Sequence, residues 1–465
     1  MYCKIDHALI QHLEDIVGKK NVLVNEGDCA DYAFDETPDL RFPPETVVKP
    51  STAAQISEVM HLANASRVPV TPRGAGTGLS GGALPVHGGI LLSMERMDHI
   101  LDIDGQNLMV VTEPCVITGK LQEAVEEEGF FYPPDPASLD SCSIGGNVAE
   151  GAGGPRAVKY GVTGDYVRGL ESVLPTGEIL FSGGKLVKNV TGYDLLGLLV
   201  GSEGTLAVVT QIVLQLLPLP RKKVDLLVPF HSLEAAARTV SEIIRRRMIP
   251  TAIEFMERRA IQLTEQYLNK VIPFDDAEAQ LLIEIDGSRE SELEHDYEMV
   301  GEIFLEHGAY DVFVADSSPV QRRLWEVRRS ILEALKAVSP VLCGEDVVVP
   351  RMAIPTLIDG LKGISHRHGF EAICFGHVGD GNVHIEILKG EADYERWNRV
   401  LPTMVEDIFD VVLSLGGMIT GEHGIGLTKK KYLEKALGAN QVALLHRLKR
   451  AFDPNGILNP GKIFE

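Results

Sequence analysis

The sequence predicts an α+β protein of two or three domains, its second half built on an antiparallel sheet with helices on one side. Three observations lead there. The chain has 465 residues, more than one hydrophobic core ordinarily supports. Its first half combines short apolar strands with repeated glycine loops. Beyond Leu217-Pro218-Leu219-Pro220-Arg221, where prolines and a basic run interrupt the pattern, strands alternate with amphipathic helices. The expected boundaries are a helical lead-in over 1–42, a domain over 43–218, a second over 219–420 and a closing segment over 421–465.

The elements follow in chain order. Leu9, Leu13, Ile16 and Val17 give the lead-in a helical pattern. Thr46-Val47-Val48 reads as a strand, and Thr52 with Gln55 forms a capping box for a helix to about Ser66. A strand at Val68–Thr71 then enters a glycine-rich loop. After the seam come strands at Val224–Phe230, Ala252–Phe255, Gln280–Ile285 and Asp311–Ala315, separated by helices reaching about Met248 and Leu305. Ser318-Pro319 opens a helix in N-cap and first-turn order, running to about Val338. Strands near Asp346–Val349 and Ala372–Phe375 flank a further helix.

Composition narrows the function classes. Apolar content of 45% and charged content of 24% are those of an ordinary globular protein. The formal charge of −22, from 44 basic and 66 acidic residues, disfavours nucleic acid or an anionic membrane as main partner. Six cysteines (Cys3, Cys29, Cys115, Cys142, Cys343, Cys374) lack CxxC or cluster spacing, so neither a disulfide framework nor an iron–sulfur cluster is expected. The start, Met1-Tyr2-Cys3-Lys4-Ile5-Asp6, lacks the apolar core of a signal peptide. No apolar run approaches the ~18 residues of a membrane span. A cytoplasmic location is expected, peripheral to a membrane only through a partner.

Gly76-Thr77-Gly78-Leu79-Ser80-Gly81 matches GxGxxG, yet Gly82-Ala83-Leu84-Pro85-Val86-His87-Gly88-Gly89 will not form the helix that a Rossmann fingerprint requires. What survives is a loop whose amides can form an anion-binding nest. Ser143-Ile144-Gly145-Gly146-Asn147, Gly151-Ala152-Gly153-Gly154 and Gly201-Ser202-Glu203-Gly204-Thr205-Leu206 repeat that chemistry. Such loops suit an extended dinucleotide held mainly by main chain.

In the second half, Gly376-His377-Val378-Gly379-Asp380-Gly381-Asn382-Val383-His384 reads as a hairpin turning at Asp380-Gly381. That register sets His377 opposite His384, with Cβ atoms roughly 4.5–5.5 Å apart. With Glu422 from Gly421-Glu422-His423-Gly424 they make a His/His/carboxylate set with open positions, suited to a catalytic divalent metal. Zinc, Fe(II) and Mn suit these ligands alike. Cross-strand neighbours without an ion are the alternative.

Pro72 to Gly82, Pro133-Pro134-Asp135-Pro136, Ser143 to Asn147, Tyr160-Gly161, Lys188-Asn189-Val190-Thr191-Gly192-Tyr193-Asp194-Leu195 and Gly201 to Leu206 together resemble the FAD-binding domain of the vanillyl-alcohol oxidase flavoprotein family. The second half resembles the FAD-linked oxidase C-terminal domain of its D-2-hydroxyacid dehydrogenase branch, the glycolate oxidase and D-lactate dehydrogenase type. The likeness runs from about Pro43 to Phe452-Asp453-Pro454-Asn455-Gly456-Ile457-Leu458-Asn459-Pro460-Gly461-Lys462. It implies a two-part FAD-binding domain, a substrate (cap) domain, and a C-terminal segment that completes the active site and returns to the FAD domain.

Carried over by position, the resemblance implies that Arg73, Gly74, Ala75, Gly76, Thr77, Gly78, Leu79, Ser80 and Gly81, with Ser143, Gly145, Gly146 and Asn147, hold the FAD diphosphate. Pro134, Asp135, Gly153, Gly154, Gly164, Glu203 and Asn459 fall along the rest of the cofactor. The glycine loop has no histidine, and His87 lies beyond it, so FAD is expected to be noncovalent. His377, His384 and Glu422 match metal ligands, His423 the catalytic base, and Arg328 an arginine that binds substrate carboxylate.

The expected reaction is oxidation of a small D-2-hydroxy acid to the 2-oxo acid, by proton removal at His423 and hydride transfer to flavin. Where hydroxyglutarate enzymes carry a threonine and a lysine, this chain has Leu332 and Gly344, and Glu386 replaces an asparagine. Glu386 shares a strand face with His384; either it faces the pocket and repels a second carboxylate, or it is an exposed edge residue. D-lactate or glycolate is therefore the expected substrate, with D-2-hydroxyglutarate the alternative. Electrons pass to an external acceptor, for which an electron-transfer flavoprotein, an iron–sulfur subunit, a quinone and oxygen are candidates. Whether the chain works alone, as a dimer or as the flavin subunit of a complex stays open, as does a non-redox transferase built on the same fold.

Overall fold

The computed structural model describes residues 2–464 and contains two compact units. One comprises the chain through Gly153, Val162–Leu219 and the run from Glu422 onward; the other comprises Gly154–Gly161 and Pro220–Gly421. Among the described residues no helix is long and apolar enough to cross a membrane.

In the first unit the Thr52 hydroxyl accepts from the Gln55 amide at 3.2 Å and caps helix Ala53–Ser66. The expected reciprocal bond differs in detail, since the Gln55 side chain reaches back to the Ser51 amide at 2.8 Å. Ile56, Val59, Met60 and Ala63 recur at helical spacing and are fully buried against Val68, Val70, Ile90 and Leu92. Helix His7–Val17 adds Leu9, Leu13 and Val17 to that core, and Ile457 and Leu458 close it from the far end of the chain.

A sheet of four strands runs in the order Val22–Leu23, Thr46–Val48, Ile90–Ser93, Val70–Arg73, the last two pairings parallel. Leu458 bridges Val70 on its other side. A second, antiparallel sheet runs Ile100–Asp104, Met109–Thr112, Val208–Gln215, Val167–Val173, Ile179–Gly183. The glycine loop leaves the end of Val70–Arg73, and residues 83–89 form turns rather than a helix.

The second unit is a sheet of seven strands in the order Phe313–Ala315, Lys222–Phe230, Ala279–Gly287, Ala252–Glu257, Glu371–Gly376, Asn382–Leu388, Leu342–Val348, every neighbour antiparallel. The sheet is antiparallel as the sequence predicts, with one refinement: helices cover both faces. Arg258–Leu268, Ser318–Arg329 and Ile331–Val338 pack on the face of Leu227, Met256, Leu282 and Phe375. On the opposite face Phe304 of Glu290–Glu306 meets Phe230 edge to face, their centroids 6.1 Å apart. Burial on both faces is why Leu281-Leu282-Ile283 reads as a continuous apolar run. The helix expected from Ser318 to Val338 is broken at Ser330, and its N-cap is Ser317.

Candidate active site

The site in the second unit is built on a loop that differs from its sequence expectation. Between Glu371–Gly376 and Asn382–Leu388 the chain makes a five-residue loop, not a two-residue turn. The His377 carbonyl accepts from the amides of Asp380, Gly381 and Asn382, each at 3.2 Å, so His377 lies inside the loop. Phe375, rather than His377, is the register partner of His384. The offset is two residues, which keeps His384 on the expected face. The imidazoles still converge, with Nε2 atoms 3.3 Å apart and rings nearly perpendicular at 85°.

Behind His377 stands a residue the sequence reading does not single out. Glu254 lies fully buried in strand Ala252–Glu257 and accepts from His377 Nδ1 at 2.7 Å. Its other oxygen meets Arg328 Nη2 at 2.7 Å, and that guanidinium stacks 5.0 Å over the Phe375 ring. Burial would push the Glu254 carboxyl up, but His377 and Arg328 outweigh it and hold the group below the ordinary range. With Nδ1–H donated to a carboxylate, His377 presents its Nε2 lone pair toward His384. That tautomer is the one a metal-bound imidazole requires. A single carboxylate inside Ala252-Ile253-Glu254-Phe255-Met256 was the signal available in the sequence.

Asp346 is the register partner of His384 on the other neighbouring strand. Its carboxylate accepts from Thr420 Oγ1 at 3.1 Å and from the Gly421 amide at 2.9 Å. The residue that immediately precedes Glu422 is thus fixed beside the strand that carries His384.

Glu386 is no exposed edge residue. It is 6% accessible on an interior strand, opposite Gly344, and burial with Glu345 nearby pushes its carboxyl up to about 7. A Cβ on Gly344 would sit 2.8 Å from Glu386 Oε2, so glycine there leaves the carboxyl its space.

In the first unit, Ser143 organises the glycine loop. Its hydroxyl accepts from the amides of Ala75 and Gly146, both at 3.3 Å, and a side chain on Gly74 would collide with it. Gly145 lies 2.8 Å (as a notional Cβ) from the Pro114 carbonyl, and Asn147 is tied to Thr118 at 2.8 Å. Gly81 donates to Thr37 at 2.7 Å, and Arg73 donates to the Phe34 carbonyl at 2.8 Å. Pro134 accepts from Gln122 at 2.9 Å, while Asp135 and Gly164 are half-buried. Asn459 is committed within the protein, donating to the carbonyls of Gly82 and Glu203 at 2.9 Å each. Gly153 belongs to this unit and Gly154 to the other.

Glu422 and His423 open the last run of the first unit, with side chains 15% and 21% exposed. Glu203 takes the amides of Ile425 and Gly426 at 2.8 and 2.6 Å, one on each carboxylate oxygen. Its expected place along the cofactor is thus shared with a bond network inside the protein.

The loop fits a dinucleotide. Between the bonded amides of Ala75 and Gly81, those of Gly76, Thr77, Gly78 and Leu79 have no hydrogen-bond partner among the described residues, and the loop is half-buried. Consecutive unsatisfied amides of this kind receive phosphate oxygens. The facing Nε2 atoms of His377 and His384, the former oriented by Glu254, fit a divalent ion.

Comparison with known proteins agrees with both units. Residues 44–183 match the model of the FAD binding domain, and 219–463 match that of the FAD linked oxidases, C-terminal domain. The chain is 41% identical to glycolate oxidase subunit GlcD of Bacillus subtilis, over 98% of this chain and 96% of that protein. It is 38% identical to D-lactate dehydrogenase of Anaerostipes hadrus, over 99% and 98%. Among solved structures, p-cresol methylhydroxylase superposes with a TM-score of 0.81 at 18% identity, covering 98% of this chain and 96% of that one, which speaks to fold alone.

Proposed function

Since the chain belongs to the FAD-linked oxidase family, we propose that it oxidises a small D-2-hydroxy acid, D-lactate or glycolate, to the 2-oxo acid and passes the electrons to an external acceptor. The observation that carries this reading is the His377–His384 pair with its buried Glu254 and Arg328. FAD, held noncovalently by the loop from Arg73 to Gly81 and the Ser143–Asn147 segment, supplies the hydride acceptor. A divalent ion held by His377, His384 and Glu422 supplies Lewis acidity toward a 2-hydroxy carboxylate.

The protein's own groups then have defined tasks. His423, the residue after Glu422, removes the hydroxyl proton, a task suited to an imidazole at neutral pH. Arg328 keeps Glu254 ionised, and Glu254 keeps His377 in the tautomer whose Nε2 carries no proton. Arg328 also has a buried Nε without a hydrogen-bond partner among the described residues, a donor suited to a substrate carboxylate. Glu386, on the face of His384 and part-ionised at neutral pH with its carboxyl pushed up to about 7, is an acceptor that disfavours a second carboxylate and so selects against D-2-hydroxyglutarate.

The relatives named as glycolate oxidase subunit and D-lactate dehydrogenase support the substrate class. The word subunit in the first supports a second reading, in which the chain is the flavin component of a larger complex. The test is a substrate panel read by anaerobic flavin bleaching. D-lactate or glycolate is expected to reduce the flavin rapidly and D-2-hydroxyglutarate poorly, with Glu386→Asn narrowing the gap. Fast reduction by the dicarboxylate and none by either monocarboxylate would reverse the assignment.

A further inference from the structure

Glu203 is an unusual residue for a turn. It adopts a left-handed backbone at φ +51°, a conformation that strains a non-glycine residue. It is held there on two sides: its amide donates to the Ala149 carbonyl at 2.7 Å and its own carbonyl accepts from Asn459 at 2.9 Å. The strained turn delivers a 7% accessible carboxylate whose two oxygens take two successive amides, Ile425 at 2.8 Å and Gly426 at 2.6 Å. Two bonds from one planar group to adjacent peptide units fix orientation as well as position.

The clamped segment needs such an anchor. His423 is followed by Gly424 at φ +80° and, after Ile425, by Gly426 at φ +49°, so the backbone after the imidazole has little stiffness of its own. Gly424 also packs closely, a notional Cβ lying 3.1 Å from Glu203 Oε1. Beyond it the Leu427 amide donates to the Ser80 carbonyl at 2.7 Å, in the glycine loop itself. Burial pushes the Glu203 carboxyl above the ordinary carboxylate range, against the pull of the Ile425 and Gly426 amides and of Lys462 and Lys429 within the same unit.

We propose that Glu203 is the positioning residue for His423: by gripping the two amides that follow the base, it fixes the imidazole relative to the cofactor loop without touching the reacting atoms. This deepens the reading of His423 as the base and rests on it.

The test compares the holoenzyme with Glu203→Gln, which keeps the shape but turns one acceptor into a donor facing an amide. Flavin absorbance per protein is expected to stay at the parental level and the KM for D-lactate to stay within about twofold. Anaerobic flavin reduction is expected to slow by roughly tenfold or more, the scale of a misplacement near 1 Å. On a His423→Ala background the same substitution is expected to slow the residual rate no further, because both changes remove one function. Amide exchange in a peptide spanning 423–428 should also quicken. Parental reduction rates, loss of FAD, or slowing that adds to that of His423→Ala would overturn the proposal. If Glu203→Gln does not accumulate, Glu203→Asp, with both oxygens one methylene short, is judged by the same outcomes. Parental reduction by His423→Ala alone would instead remove the underlying assignment of the base.

Discussion

At the scale of single residues, Glu254 controls the histidine pair from behind. Its carboxyl is fully buried, bonded at 2.7 Å to His377 and at 2.7 Å to Arg328. Removing its charge leaves the Arg328 cation buried without a counter-ion, a loss of about 3 kcal/mol. Glu254→Gln is therefore expected to lower the melting temperature at pH 7 by roughly 6 to 12 °C, and to reduce retained divalent metal after dialysis. The pH dependence has a definite sign. Because the folded protein holds this carboxyl below its ordinary value, its contribution is present above the unfolded pKa and disappears as pH falls through the folded one. The deficit of the Gln variant should thus shrink below about pH 4. An equal deficit at pH 3.5 and pH 7 would contradict the ion-pair account. Glu254 also shows a limit of sequence reading: one carboxylate in an apolar strand is visible, but its partners lie at Arg328 and His377 and meet it only through sheet register and helix packing.

At the scale of elements, the loop 377–381 decides the geometry of the site. The residues that favour a turn are plain in Gly379-Asp380-Gly381, and an even offset keeps His384 on its expected face. The two-residue offset does not, because it comes from the His377 carbonyl gathering three amides instead of pairing across the hairpin. Gly381 carries φ +97°, and a side chain there would collide with the Val349 carbonyl. Gly381→Ala is expected to cost about 1–3 kcal/mol and to weaken metal retention more than flavin retention. Measured metal and FAD stoichiometries check this, and a variant that sheds FAD while keeping metal would contradict it. The same scale explains why strands were legible while helix breaks were not: burial on both faces leaves runs such as Leu226-Leu227-Val228, whereas nothing in Arg329-Ser330-Ile331 marks the interruption at Ser330.

At the scale of the whole molecule, the glycine loops and the seam near Pro218 foretell a chain with more than one core. The sequence pattern does not show that Gly154–Gly161 leaves the first unit for the second, since that octet has neither a seam nor a change of composition. The return of the C-terminal segment to the first unit is implied by the resemblance and not by the pattern; there Leu458 bridges Val70, and Ile457 and Leu458 are wholly buried. The proposed function carries one requirement: a divalent ion at the histidine pair before the flavin takes electrons from a hydroxy acid. The direct measurement is anaerobic stopped-flow of flavin absorbance on D-lactate addition, made on metal-analysed holoenzyme before and after chelation with FAD still bound. The expected result is rapid bleaching that disappears with the metal and returns when Zn²⁺ or Mn²⁺ is restored. Undiminished bleaching by metal-free protein would contradict it.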